Sequence, residues 1–191
     1  MSTSESSYHH GHLADALLDA ADELLAERGA AALSLREVAR RAGVSHNAPY
    51  HHFADRTALV NAVARRHMAR LLEAQRAAWH SNGTPRERLR AMGEAYVRYA
   101  HEYPNGFDIV FDPEVCSPTS PSPGMAPLIR ENELLLDEAI RTIFPEQNSE
   151  TLVARAAGFW AACHGVAVLS ASGHMSTETA FAALDAVDIT S

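Results

Sequence analysis

The chain has 191 residues, 47% hydrophobic and 21% charged, with a formal net charge of −8, enough apolar material for one compact unit or two small helical domains. Its longest apolar run, Ala156 to Ala171, is interrupted by Gly158, His164 and Ser170, so no transmembrane span and no membrane partner are expected. Two cysteines, Cys116 and Cys163, make neither a disulfide framework nor a zinc cluster and point to a reducing cytoplasm; oxidation of Cys116 in its loop is the alternative to an incidental thiol.

Met1 to Ser7 is polar and lacks an apolar core segment, so no signal peptide is expected. Tyr8-His9-His10-Gly11-His12 follows. Three close histidines invite a metal reading, but no nearby carboxylate or cysteine completes a set of ligands. The expectation is an exposed arm that touches phosphates or the minor groove, with metal as the outside alternative and no cofactor. A first helix is expected over about His12 to Arg28, with Leu13, Leu17, Ala21, Leu24 and Leu25 on one stripe, acids opposite, and Gly29 as its stop.

Residues 33 to 59 hold the organising motif. Ser34 can cap a short helix, with Glu37 reaching back to the Ser34 amide in a capping box. Val38, Ala39 and Ala42 give that helix one narrow buried face, and Gly43 ends it. Val44 plugs the corner, and Ser45 can cap a second helix running to about His52, with Pro49 in its first turn. This is a helix-turn-helix pattern, whose second helix is shaped for a DNA major groove. An ordinary corner between two core helices is the bland alternative. Against it, His46, Asn47, Tyr50, His51 and His52 are too many polar groups for a core. A helix from about Asp55 to Trp79 then leads into the rest of the chain.

The run Ser34 to Ser45, together with Tyr50, Phe53, Arg56 and Leu59, resembles the N-terminal DNA-binding domain of the TetR family of bacterial transcriptional regulators, over roughly residues 8 to 67. The family commonly has Lys where this chain has Arg56, and Arg serves the same phosphate-contacting role. His46, Asn47 and Ala48 fall on the family's variable reading positions, so the resemblance does not carry an operator sequence. It implies a three-helix DNA-binding domain, taken here as residues 1–54 with the arm, and a C-terminal regulatory and dimerisation domain over 55–191.

Past Ser81-Asn82-Gly83, Thr84-Pro85-Arg86-Glu87 restarts a helix with a second capping box, ending near Tyr103-Pro104. A short helix with Phe107, Ile109, Val110 and Phe111 follows, then a loop rich in proline and serine from Pro113 to Pro127. Helices are expected over about Leu128 to Phe144, Ser149 to Ser172 and Thr177 to Val187, nine in all, an all-α chain. The penultimate one carries no charge after Arg155, and Ala157, Ala161 and Gly165 line up for close approach of another helix. Two such apolar helices suggest a subunit interface, which matches the four-helix dimer bundle of the family. Trp160-Ala-Ala-Cys-His164-Gly165 is similar to the Trp/His-Gly signature of one C-terminal subgroup.

Charge is unevenly distributed. Residues 8 to 70 hold eight Arg against seven acids, while residues 71 to 191 hold eight Arg against sixteen, and no lysine occurs anywhere. Arg36, Arg40, Arg41 and Arg56 cluster around the motif, a modest cationic surface suited to a specific DNA binder. On this reading His46 and Asn47 face base edges and Ala48 meets a thymine methyl. Ser45, Tyr50, His51, His52 and Arg56 hold phosphates, and Arg36 does either. A two-fold dimer would place its reading helices one DNA turn or a multiple apart, so the operator is expected to be an inverted repeat of double-stranded DNA. The resemblance implies a repressor released by a small-molecule effector. Trp79, Tyr96, Tyr99, Phe107, Phe111, Phe159, Trp160 and His164 are candidate cavity walls, with ordinary core packing as the alternative for each. A helical interaction module without DNA binding is the rival. Catalysis is not expected, since Cys163 and His164 are adjacent on a helix and diverge by about 100°.

Overall fold

The computed structural model describes residues 4–113, 115–117 and 119–186, with side chains from Leu13 onward. Pro118 and Val187, placed by the sequence in the loop and the last helix, lie outside the described residues. Among those residues the chain is all-helical. The α-helices are α1 Ser4–Arg28, α2 Leu35–Arg41, α3 Arg56–Trp79, α4 Pro85–Glu102, α5 Pro104–Phe111, α6 Ala126–Ile143, α7 Ser149–Ala171 and α8 Thr177–Ala186. Two 3₁₀ segments, Ala30–Ala32 and Ala48–His51, complete the set. The ninth expected helix, the second of the motif, is the latter segment. Tyr8 to His12, expected as an arm, is helical backbone continuous with the rest of α1.

Local chemistry sets most of the boundaries. Asp55 Oδ1 accepts the Ala58 amide at 2.8 Å and opens α3, and Asn148 Oδ1 accepts the Thr151 amide at 3.0 Å and opens α7. At Thr84 the reciprocal pair is complete: the Glu87 amide donates to Thr84 Oγ1 at 3.3 Å, and the Thr84 amide donates to Glu87 Oε2 at 2.7 Å. The box expected at Ser34 is only half formed. Ser34 Oγ accepts the Glu37 amide at 3.2 Å, but the Glu37 carboxylate turns to Arg40 at 2.9 Å and Arg28 at 3.2 Å instead of reaching back. Two guanidiniums outcompete one neutral amide for the same oxygen.

The chain forms two compact units. The first comprises Met1–His67 and Asn105–Ser122. Leu17, Leu24 and Leu25 of α1 bury against one another with Leu33, Val38, Leu59 and Val63 at or near zero exposure. The Asn105 side-chain amide donates to the carbonyls of Leu25 at 2.9 Å and Ala26 at 3.2 Å, oxygens near the C-terminal end of α1. Beside it Gly106 leaves room for the buried His67 ring, which a Cβ at that position would overlap. His67 Nε2 in turn lies 3.3 Å from Asp22 Oδ1.

The second unit comprises Met68–Pro104 and Pro123–Ser191. Its core gathers Leu71, Leu72, Leu89, Met92, Tyr96, Ile140, Leu152 and Phe159. A Cβ on Gly93 of α4 would sit 3.1 Å from Cys163 Sγ, 3.2 Å from Phe159 Cζ and 3.4 Å from Leu184 Cδ1, so glycine lets α4 seat closely on α7 and α8. By contrast Ala157, Ala161 and Gly165 of α7 are exposed, with Val153, Trp160, Val168 and Leu169 beside them. The stripe of small residues therefore faces outward. By length and composition alone α7 could cross a bilayer.

Gly106→Ala should destabilise the chain by about 1–3 kcal/mol through forced displacement of the His67 ring. Urea unfolding with and without His67→Ala checks the cause, because the penalty should shrink sharply once the ring is gone. An equal penalty in both backgrounds would overturn that packing account.

Candidate nucleic-acid interface and apolar face

The corner after α2 is built by backbone hydrogen bonds. The Val44 amide donates to the Ala39 carbonyl at 3.0 Å and the Gly43 amide to the Arg40 carbonyl at 3.3 Å. Gly43 holds φ at 69°, the left-handed conformation this reversal needs. The next segment departs from expectation. An α-helix starting at Ser45 would require an amide hydrogen at residue 49 to reach the Ser45 carbonyl, and Pro49 has none. That oxygen instead accepts from Ala48 at 3.0 Å, Tyr50 donates to Asn47 at 3.2 Å and His52 to Pro49 at 2.9 Å, all with the tighter three-residue spacing. Ser45 does not act as a side-chain cap; the residue before the 3₁₀ segment is Asn47, and it makes no capping bond.

This tight segment sorts the side chains. Pro49 is buried, Ala48 is half-buried, and His52 is half-buried with its ring 6.4 Å from that of Phe53. Ser45, His46, Asn47, Tyr50 and His51 are exposed, Tyr50 to 57%. His52 is therefore placed with the packing side of the segment more than with its outer face.

The cations around the motif are largely engaged. Arg41 contacts Glu27 at 2.5 Å and Glu23 at 3.0 Å, and Arg40 contacts Glu37 at 2.9 Å. The hydrogen bond from Arg41 holds the Glu27 carboxyl below the usual carboxylate range, and those from Arg40 and then Arg28 do the same for Glu37. Glu23 and Glu27 of α1 thus neutralise part of the cationic surface expected there. Arg56 also has an internal task. Its Nε donates to the Leu33 carbonyl at 2.8 Å and its Nη2 to the Ala30 carbonyl at 2.9 Å, tying the start of α3 to the connection before α2. Arg36 is exposed and forms no ion pair with the described residues.

The aromatic candidates fall into separate groups. Phe107 and Phe111, with ring centroids 4.8 Å apart, belong to the first unit. In the second, Trp79 donates to Glu138 Oε1 at 3.0 Å beneath the Arg88 guanidinium, and Tyr99 packs on Tyr103 at 5.1 Å. Tyr96, Trp160 and His164 come together: Tyr96 Oη lies 2.9 Å from His164 Nδ1, and the Trp160 and His164 rings are 6.0 Å apart. Burial raises the Tyr96 hydroxyl above its usual range and lowers His164 below its own. Both groups are thus held neutral, and the hydroxyl and Nδ1 share one hydrogen bond whose direction follows the imidazole tautomer. Phe159 packs instead at Gly93. Sequence reading passed over Gln75 and Ser170, whose side-chain oxygens are buried without a hydrogen-bond partner among the described residues. A polar residue inside each apolar stripe was the available signal.

Arg56→Ala should lower stability by about 1–2 kcal/mol, because both carbonyls lose a charged donor. Arg56→Lys keeps the charge but not the fork and should recover less than half of that in thermal unfolding. Full recovery by Lys would leave the double tie without energetic weight.

Residues 17–63 match the family model described as bacterial regulatory proteins, tetR family, and residues 89–187 match the one described as tetracyclin repressor-like, C-terminal domain. Over 96 residues, 50% of this chain and 44% of the relative, the sequence is 36% identical to the HTH-type transcriptional activator FasR of Mycolicibacterium smegmatis. Over 51 residues, 27% of each, it is 47% identical to the HTH-type transcriptional repressor Rv3405c of Mycobacterium tuberculosis. The chain thus spans less than half the length of these curated relatives. A solved structure of a protein of unknown function from Rhodococcus sp. RHA1 matches with a TM-score of 0.75 at 30% identity, covering 94% of this chain and 95% of that one. Two family models in the family's order, one on the helix-turn-helix and one over half of the chain, place this protein in the TetR family of bacterial regulatory proteins.

Proposed function

We propose that this chain is a DNA-binding transcriptional regulator acting in the cytoplasm. It binds an inverted-repeat operator as a homodimer and represses until a small-molecule effector releases it. The carrying observation is the outward set His46, Asn47, Tyr50 and His51 on a segment stiffened by Pro49, just past a corner closed by Gly43. Asn47 and His46 are assigned to base edges, Ala48 to a thymine methyl, and Tyr50, His51, Ser45 and Arg36 to phosphates. Arg56 can add a phosphate contact only through donors that its carbonyl ties leave over. A regulator fits better than an enzyme, since burial pushes the Cys163 thiol up to about 12 and keeps it from serving as a nucleophile.

The partner reading rests on α7. Val153, Trp160 and Val168 are 63%, 47% and 45% exposed on one helix of a single subunit, a large apolar area to leave in water. A second copy related by a two-fold axis covers it with the same face. The effector is assigned to the second unit, where Tyr96 and His164 offer polar groups and the Gln75 and Ser170 oxygens lack partners among the described residues. α3, shared by both units, is the covalent route by which filling that unit would alter the spacing of two reading segments.

Selection from a random duplex library should enrich an inverted repeat. Asn47→Ala should flatten base preference while leaving affinity for random DNA within about twofold, whereas Arg36→Ala should weaken selected and random DNA by a similar factor. No enriched sequence with the full chain would remove the regulator reading; equal losses on both DNAs for Asn47→Ala would remove that residue's assignment. Trp160→Asp should shift the chain from dimer to monomer in sedimentation with its helical circular dichroism retained, and an unchanged dimer would exclude α7 as the interface.

A further inference from the structure

Two side chains of α7 converge on one buried oxygen of α4. Tyr96 is 2% exposed, and its Oη lies 2.9 Å from Nδ1 of His164. Trp160, one turn earlier on α7, directs its indole N–H at the same oxygen; burial raises the phenol, and that donor lowers it in part. The Trp160 and His164 rings stand 6.0 Å apart, and the His164 ring meets that of Tyr96 edge-on at 6.3 Å. Yet neither α7 residue belongs to the interior. Trp160 is 47% exposed and His164 half-buried, on the side of the helix that also carries Ala157, Ala161 and Val168. From Ala156 to Ala171 the helix has no carboxylate and no guanidinium, and every exposed residue there is apolar or glycine.

We propose that the Tyr96 hydroxyl is a positioning group for the subunit interface, fastening Trp160 and His164 from within so that the outer face of α7 meets a second copy in one arrangement. This rests on the α7 dimer reading above. An indole ring in water samples several rotamers, and immobilising it is part of what association costs. With its N–H directed at a buried oxygen, the Trp160 ring is ordered before the partner arrives, and that cost falls. Tryptophans held in this way serve as anchors of protein interfaces. A face without carboxylates or guanidiniums has no charge to match against an acidic or basic partner. It is complementary to itself, which is what a two-fold axis requires. Tyr96 is also among the polar groups offered to the effector. A ligand that took over its oxygen would release Trp160 and His164 and loosen the pair of subunits, a second route from that unit to the spacing of the two reading segments.

The test measures the dimer Kd of the full chain by sedimentation equilibrium. Tyr96→Phe keeps the ring and removes the oxygen. It should raise the dimer Kd about tenfold with helical circular dichroism retained, since an ordering cost returns in each of two subunits. Trp160→Phe should raise it too, and in that background Tyr96→Phe should add less than about threefold, because no N–H remains to be held. An equal added loss in both backgrounds is what a merely loosened core would give, and it overturns the proposal. So does a Tyr96→Phe dimer as tight as wild type, which leaves the α7 interface standing. Should Tyr96→Phe lose its helical signal, Trp160→Phe carries the test alone, and a dimer unchanged by loss of the N–H overturns the proposal. A wild type that stays monomeric, alone or on neutral phosphatidylcholine vesicles, removes the dimer reading as well, and that outcome appears before any variant is compared.

Discussion

The amide hydrogen that Pro49 lacks is the constraint on which the reading surface depends. With no amide there, the Ser45 carbonyl is taken by Ala48 and the turn tightens to three residues, with Pro49 buried. A 3₁₀ segment rises about 2.0 Å per residue, so four residues extend some 8 Å, while stacked bases lie about 3.4 Å apart along one strand. On the proposed reading only Ala48 of this segment meets a base, with His46 and Asn47 just before it, so one subunit reads two or three bases. On that reading specificity from one subunit is limited, which accords with repeating the contacts on a second half-site. The fixed φ of proline also removes conformations the unbound segment could otherwise visit, which lowers the ordering cost of docking.

The second constraint is electrostatic. Glu23 and Glu27 of α1 bracket Arg41, and Glu37 is shared between Arg28 and Arg40. Such exposed pairs contribute little to stability, typically about 0–1 kcal/mol each. Their larger effect here is to withdraw cationic side chains from the face that would meet a phosphate backbone. On the proposed reading, long-range attraction to nucleic acid falls and docking rests on short-range contacts by Arg36, Asn47, Tyr50 and the exposed histidines.

Most helices are legible in the residues because their signals are local. Thr84 with Glu87, Asn148, Asp55, Gly43 and the prolines at 85 and 104 each act within a few positions. What could not be read is what depends on competition at a distance. Ser34 and Glu37 have the spacing of a capping box, yet Arg28 and Arg40 claim the carboxylate. Arg56 has the position of a phosphate ligand, yet two carbonyls more than twenty residues earlier take its donors. The grouping of the aromatic residues is likewise a tertiary fact: Phe107 and Trp160 share hydrophobicity and helical spacing, and nothing in that pattern assigns them to different units. Gly93 and Gly106, each pressed by a side chain from another helix, look in sequence like any helical glycine.

Gly158 and Gly165 lie within α7 with ordinary helical backbone, and a methyl group at either would meet nothing within 4 Å. A glycine inside a helix costs about 1 kcal/mol relative to alanine. Among the described residues no neighbour demands a glycine at either position, so the helix is less rigid than alanine there would make it. Filling both sites would stiffen α7 and at the same time build up its outer surface by two methyl groups, setting the folding of one subunit against the closeness with which any neighbour could lie along it.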